Sequence, residues 1–207
     1  IQQRTEMLAG VSHDLRTPLT RMKLQLAMMG NVPAIEDLKR DVDDMERMVN
    51  AYLAFARGEG TEQPSEVDIV AAVGDVVAGA RRDGTRIGFA TAEEELTVPL
   101  RRDAFRRALT NIVANAQRHA NRIDVVLNRR RGRVEILVDD DGPGVPVDKR
   151  EEVFKPFFRI EASRNAETGG IGLGLTIARD ILRSHGGDLT LGDSPLGGLR
   201  AVLQVPV

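Results

Sequence analysis

Two apolar seams at helical spacing limit most strictly what the first quarter of this chain can become. Leu8, Val11, Leu15, Leu19, Met22, Leu26 and Met29 recur at intervals of three and four. That spacing lines one face of an α-helix. Gly30–Asn31–Val32–Pro33 interrupts it with turn and helix-start chemistry. Ile35, Leu38, Val42, Met45, Val49, Tyr52 and Ala56 then repeat the pattern. Two such seams joined by a short turn predict an antiparallel helical hairpin over residues 1–57. A lone hairpin buries only one side well, so a second copy is the expected cover, giving a dimeric four-helix bundle.

Beyond it, residues 58–66 (GEGTEQPSE) are polar, without periodicity, and read as a linker. From Val67 the pattern is mixed. Asp68 is placed to cap a helix over 69–80, and a second helix is predicted over 103–120. Phe105, Leu109, Ile112, Val113 and Ala116 line one face of that second helix. A third is predicted over 173–185, closed by Gly186–Gly187. Short strands are predicted at 86–90, 96–98, 123–127, 134–138, 189–191 and 199–205. Helices interleaved with strands of this kind predict an α+β sandwich over 67–207.

Lys plus Arg number 29 against 31 Asp plus Glu, a balance that argues against a nucleic-acid binder. There is no cysteine, which excludes disulfides and thiolate metal sites and fits a cytosolic compartment. No apolar run reaches membrane-spanning length. Because Ile1 already lies inside what reads as a helix, a preceding N-terminal part is expected.

Four stretches carry chemistry. In Ser12–His13–Asp14–Leu15–Arg16–Thr17–Pro18–Leu19–Thr20, a histidine is followed at once by a carboxylate and one turn later by a hydroxyl. Pro18 removes a backbone donor there and bends the helix. Asn111 and Asn115 stand one turn apart, sharing a helix side with Arg118 and His119. Amide oxygens suit Mg²⁺ and the two basic groups suit phosphate, although an incidental polar face would look the same. Asp139–Asp140–Asp141–Gly142–Pro143–Gly144 follows an apolar strand and reads either as a ligand-approaching turn or as a plain acidic one. Gly169–Gly170–Ile171–Gly172–Leu173–Gly174 opens a helix, where free amide N–H groups can hold phosphate. No βαβ unit precedes that glycine run, so a dinucleotide fold is a poor fit. Before it come Phe154, Phe157 and Phe158, expected to pack together, and a polar run over 161–168 that reads as a lid.

In this order the motifs resemble those of sensor histidine kinases of the osmosensor type, through VSHDLRTPLTRMKL and DDDGPG. The second half resembles the ATP-binding fold shared with gyrase, Hsp90 and MutL. Ile171 departs from the small or polar residue common at its place. The resemblance implies that ATP and Mg²⁺ are bound and that His13 is phosphorylated. It implies transfer from His13 to an aspartate of a response-regulator receiver domain, and phosphatase activity toward that regulator. His13, Asp14 and Thr17 would be catalytic, with Asp14 orienting the imidazole and taking its proton, and Thr17 holding a water. Asn115 would ligate Mg²⁺ with Asn111 in support, and Arg118 and His119 would meet phosphates. Asp141 would hold the adenine amine beside Gly142 and Gly144, and Gly170, Gly172 and Gly174 would let the chain fold over the phosphates. The expected setting is the cytoplasmic part of a bacterial inner-membrane sensor, a homodimer through the hairpin. Two rivals keep the fold without His13 chemistry: a nucleotide-gated dimeric scaffold and a gyrase-type conformational ATPase.

Overall fold

The computed structural model describes residues 18–29, helical positions between 35 and 49, 62–130, 132–160 and 172–207. It divides into two units, Ile1–Glu62 and Gln63–Val207. In the first, a helix over 18–28 (α1) and the helical residues between 35 and 49 (α2) share a small core. Leu19, Leu26 and Val42 are buried in it, with Ile35 and Val49 packed alongside. All five lie on the predicted seams. Lys23 of α1 bridges Asp43 (2.8 Å) and Glu46 (2.6 Å) of α2, fixing the register of the pair. Met22, Leu24, Met28, Met29, Leu38 and Met45 remain exposed.

The second unit begins with β1 (Ser65–Asp68), so the last two residues of the expected linker already belong to a strand. Four residues of weak alternation gave no signal strong enough to separate that strand from the polar run before it. α3 (Ile69–Arg82) is capped as expected, the Asp68 carboxylate accepting from the Val70 N–H at 2.9 Å. Next come β2 (Arg86–Thr91), β3 (Thr97–Leu100), α4 (Arg102–His119), β4 (Arg122–Arg130) and β5 (Arg133–Asp140). Two short 3-10 turns, Val147–Lys149 and Glu152–Phe154, precede α5 (Gly174–Ser184), β6 (Asp188–Asp193) and β7 (Leu199–Pro206). β1 pairs with β3, and the other strands form a five-stranded sheet in the order β2-β4-β5-β7-β6. Only the β2–β4 pairing in that sheet is parallel.

Period-two alternation sends one set of residues from each central strand into the core. The pairing register arranges them in rows across the sheet. Leu127, Ile136, Leu203 and Leu189 form one row, and Val125, Val138, Ala201 and Leu191 the next. Phe105, Ala108, Leu109, Ile112, Val113 and Ala116 of α4 belong to the same core, with Ala178, Ile181 and Leu182 of α5. These are the faces that the sequence spacing assigned to α4.

Candidate nucleotide site

A pocket opens at one end of these rows, lined by Ile112, Asn115 and Ala116 of α4, Val138 and Asp140 of β5, Leu175 of α5, and Leu199 and Ala201 of β7. Its apolar walls are core positions. Asp140 is the exception. Two residues past Val138, it continues the inward series 134, 136, 138 and stands opposite Ile123, where the row would otherwise take a hydrophobe. It is 5% exposed. Its Oδ1 accepts the Gly142 N–H at 2.9 Å and the Leu199 N–H at 3.0 Å. Oδ2 accepts no hydrogen bond from the described residues, so one carboxylate oxygen is anchored and the other is left for a ligand donor. A buried carboxylate in that arrangement suits an exocyclic amine.

Asp141 sits elsewhere. It is exposed, and its Oδ1 accepts the backbone N–H groups of Asn121 (2.8 Å) and Arg122 (2.9 Å). Those two bonds hold its carboxyl below the usual carboxylate range. Asp141 therefore clasps the glycine turn to the end of α4 and lines no part of the pocket, contrary to the adenine-side position expected for it.

At Gly142 the turn is packed too closely for a side chain. A Cβ on Gly142 would stand 2.8 Å from the His119 carbonyl oxygen. Gly198, which the sequence reading did not single out, is tighter still: its Cβ would lie 2.3 Å from Asp140 Oδ1 and 2.4 Å from the Gly142 nitrogen. Gly144 lies farther along the same turn, with φ +70°.

Asn115 lines the pocket, half-buried, and Asn111 lies one turn earlier, beside the start of α5 at Gly174. Neither side-chain amide is engaged with the described residues, so both are available to a ligand. Arg118 and His119 occupy the exposed last turn of α4. Desolvation first, and the Arg118 charge second, lower the His119 pKa, favouring the neutral imidazole. Gly172 has φ +75°, and a Cβ there would come within 2.9 Å of the Phe157 carbonyl carbon. Its carbonyl accepts the Phe157 N–H at 2.9 Å. Of the three phenylalanines expected to cluster, Phe154 is buried, Phe158 is half-buried and Phe157 is 47% exposed with φ +64°. The backbone bond to Gly172, rather than a shared apolar cluster, sets the position of Phe157. His13, Asp14, Thr17, Gly170 and the expected lid over 161–168 lie outside the described residues. His185 caps the end of α5; its Nδ1 pairs with the Ile181 carbonyl and its Nε2 accepts the Arg101 N–H.

Residues 3–61 match the His Kinase A (phospho-acceptor) domain, and residues 101–207 match the histidine kinase-, DNA gyrase B-, and HSP90-like ATPase family. This chain belongs to the sensor histidine kinases. It is 35% identical over its full length to the sensor histidine kinase CpxA of Escherichia coli strain K12, covering 47% of that protein. It is also similar to full-length ShkA, solved in complex with AMPPNP. That match has a TM-score of 0.72 and 25% identity, over 98% of this chain and 46% of ShkA. The histidine kinase domain of the E. coli osmosensor EnvZ matches 72% of the chain and 92% of its own length, at TM-score 0.55 and 35% identity. The chain thus spans about half the length of the curated relatives it matches. Among its described residues no helix is long and apolar enough to cross a membrane.

Proposed function

We propose that this chain is the kinase region of a two-component sensor. It would move the γ-phosphoryl group of ATP to His13 and from there to an aspartate of a receiver domain. One observation carries the nucleotide half of this reading. A buried carboxylate with a single anchored oxygen and the unengaged Asn115 amide line one pocket, and the unengaged Asn111 lies one turn away beside the glycine-led start of α5. That set offers an acceptor for the adenine amine, oxygen donors for a cation and amide N–H groups for phosphate. We assign the adenine amine to Asp140 rather than Asp141. Gly142, Gly144 and Gly198 keep the turn close to the base, Gly172 and Gly174 lie at the phosphate end, and Gly170 is assigned there from the sequence motif alone. Mg²⁺ bound through Asn115, with Asn111 in support, would neutralise charge across the phosphates. Arg118 and His119 lie one turn on, within reach of phosphate oxygens.

The phosphoryl half rests on the motif at His13. A neutral imidazole nitrogen attacks the γ-phosphorus, ADP leaves, and a phosphoramidate forms on His13. Asp14 orients the ring and takes its proton. The receiver carboxylate then attacks the same phosphorus, giving an acyl phosphate and restoring His13. Thr17 would hold the water that later hydrolyses this acyl phosphate, the phosphatase step. The exposed Met22, Leu24, Met28 and Leu38 fit a second copy of the hairpin as partner. Sensing and membrane attachment are assigned to sequence beyond this chain, in keeping with relatives about twice as long.

Incubation with radiolabelled ATP and Mg²⁺ tests the proposal. Acid-labile, base-stable label should appear on the protein, be absent from His13→Ala, and chase onto a receiver domain. Label retained by His13→Ala, or none on protein that binds ADP, would reject the phosphoryl half.

A further inference from the structure

Arg179 of α5 is 9% exposed and takes no part in the pocket. A buried guanidinium is costly unless its donors are met on all sides. Here its Nη1 donates to Glu151 Oε2 at 2.7 Å, its Nη2 to Glu151 Oε1 at 3.4 Å, and its Nε to Asp188 Oδ1 at 3.1 Å. Its central carbon stands 4.1 Å from the centroid of the Phe154 ring, within cation–π range. One turn earlier on the same helix, the buried Thr176 Oγ1 donates to the Phe154 carbonyl at 2.8 Å. Phe154 is therefore held by its ring and by its backbone from one face of α5. Three residues later, Phe157 hydrogen-bonds Gly172, two residues before α5 begins.

We propose that Arg179 is a positioning residue for the phosphate end of the nucleotide site. By fixing Phe154, it sets the 154–158 segment against the glycine-led start of α5, so donors for the terminal phosphate are arranged before ATP arrives. For stability alone, an apolar side chain on Phe154 would serve as well as a buried ion pair. A planar guanidinium forked onto Glu151 and tied to Asp188 fixes direction as well as distance. The inference rests on the nucleotide reading above and adds to it a residue that reaches ATP only through others.

The test compares dissociation constants for ADP and AMPPNP on the full 207-residue chain. Wild type, Arg179→Met, Thr176→Val and Glu151→Gln are each checked for an unchanged far-ultraviolet spectrum. Arg179→Met should hold ADP within about twofold and lose about tenfold in AMPPNP affinity, equivalent to about 1.4 kcal/mol. Thr176→Val and Glu151→Gln should shift the same ratio in the same direction, by less. Should Arg179→Met fail to fold, those two variants decide, the Glu151 side chain being 77% exposed and open to substitution. Proportional loss of both nucleotides, or an unchanged ratio in folded variants, would overturn the proposal. A wild-type chain that binds no ADP would instead reject the nucleotide reading itself.

Discussion

Substituting amides for the two adjacent carboxylates Asp140 and Asp141 separates base recognition from scaffolding. In Asp140→Asn, the Gly142 and Leu199 N–H groups, now 2.9 and 3.0 Å from Oδ1, still demand an acceptor. They orient the amide oxygen toward themselves, which turns the new NH₂ group into the pocket in place of Oδ2. A donor then faces the adenine amine. Loss of a hydrogen bond to a charged acceptor costs about 1.5–3 kcal/mol, or about tenfold to 150-fold in affinity. Folding stability should change by less than about 1 kcal/mol, because both backbone bonds survive. Asp141→Asn meets the same local demand from Asn121 and Arg122 but faces no pocket, so ADP affinity should stay within about twofold. Titration calorimetry with ADP, paired with urea melts, reads both quantities. Tenfold weakening in Asp141→Asn with wild-type binding in Asp140→Asn would refute the assignment and the geometry behind it.

Gly198→Ala forces a methyl group against Asp140 and Gly142; it should destabilise the nucleotide-binding unit by about 1–3 kcal/mol and weaken ADP binding, whereas unchanged thermal melting would contradict the packing. Thr17→Ala should keep most autophosphorylation while losing dephosphorylation of the phosphorylated receiver. Both assays on one preparation check this, and a proportional loss of the two would leave Thr17 as a pre-proline structural residue. Burial raises the Asp188 pKa, but hydrogen bonds from Arg183 and Arg179 outweigh it and hold the group at about 2. A depressed carboxylate pKa stabilises the fold above the unfolded value and ceases to do so as pH falls toward the folded one. With its side chain 37% exposed, screening reduces that contribution to about 1 kcal/mol. Urea melts of wild type and Asp188→Asn should differ by that amount at pH 7 and converge as pH drops from 4 toward 2; a constant gap would show that the charge is not responsible.

The helices were legible because their periodicity is long. The α4 pattern named five positions from Phe105 to Ala116, and all five are buried. The strands were found, but not their partners. The parallel β2–β4 pair joins Arg86–Thr91 to Arg122–Leu127 across β3 and α4, a contact that no local pattern encodes. At the site, Asn115 was readable from helix spacing. Asp140 could have been read as well: the alternation Val134, Ile136, Val138 carries directly to it and passes over Asp141. Gly198 was out of reach, because its importance comes from a backbone approach between segments far apart in sequence. Arg179 was equally hidden, since a guanidinium on an amphipathic helix reads as surface until its carboxylate partners are known.

The last described strand, β7, lies between β5 and β6 in the sheet and supplies Leu199 and Ala201 to the pocket wall. As the chain leaves the ribosome, every other wall residue emerges first, yet none can assemble a cavity until this strand inserts. The Leu199 N–H that anchors Asp140 also arrives with it. Competence to bind nucleotide is thereby deferred until β7 has been made. A translation product arrested before residue 199 would display the phosphoacceptor motif without a pocket to serve it.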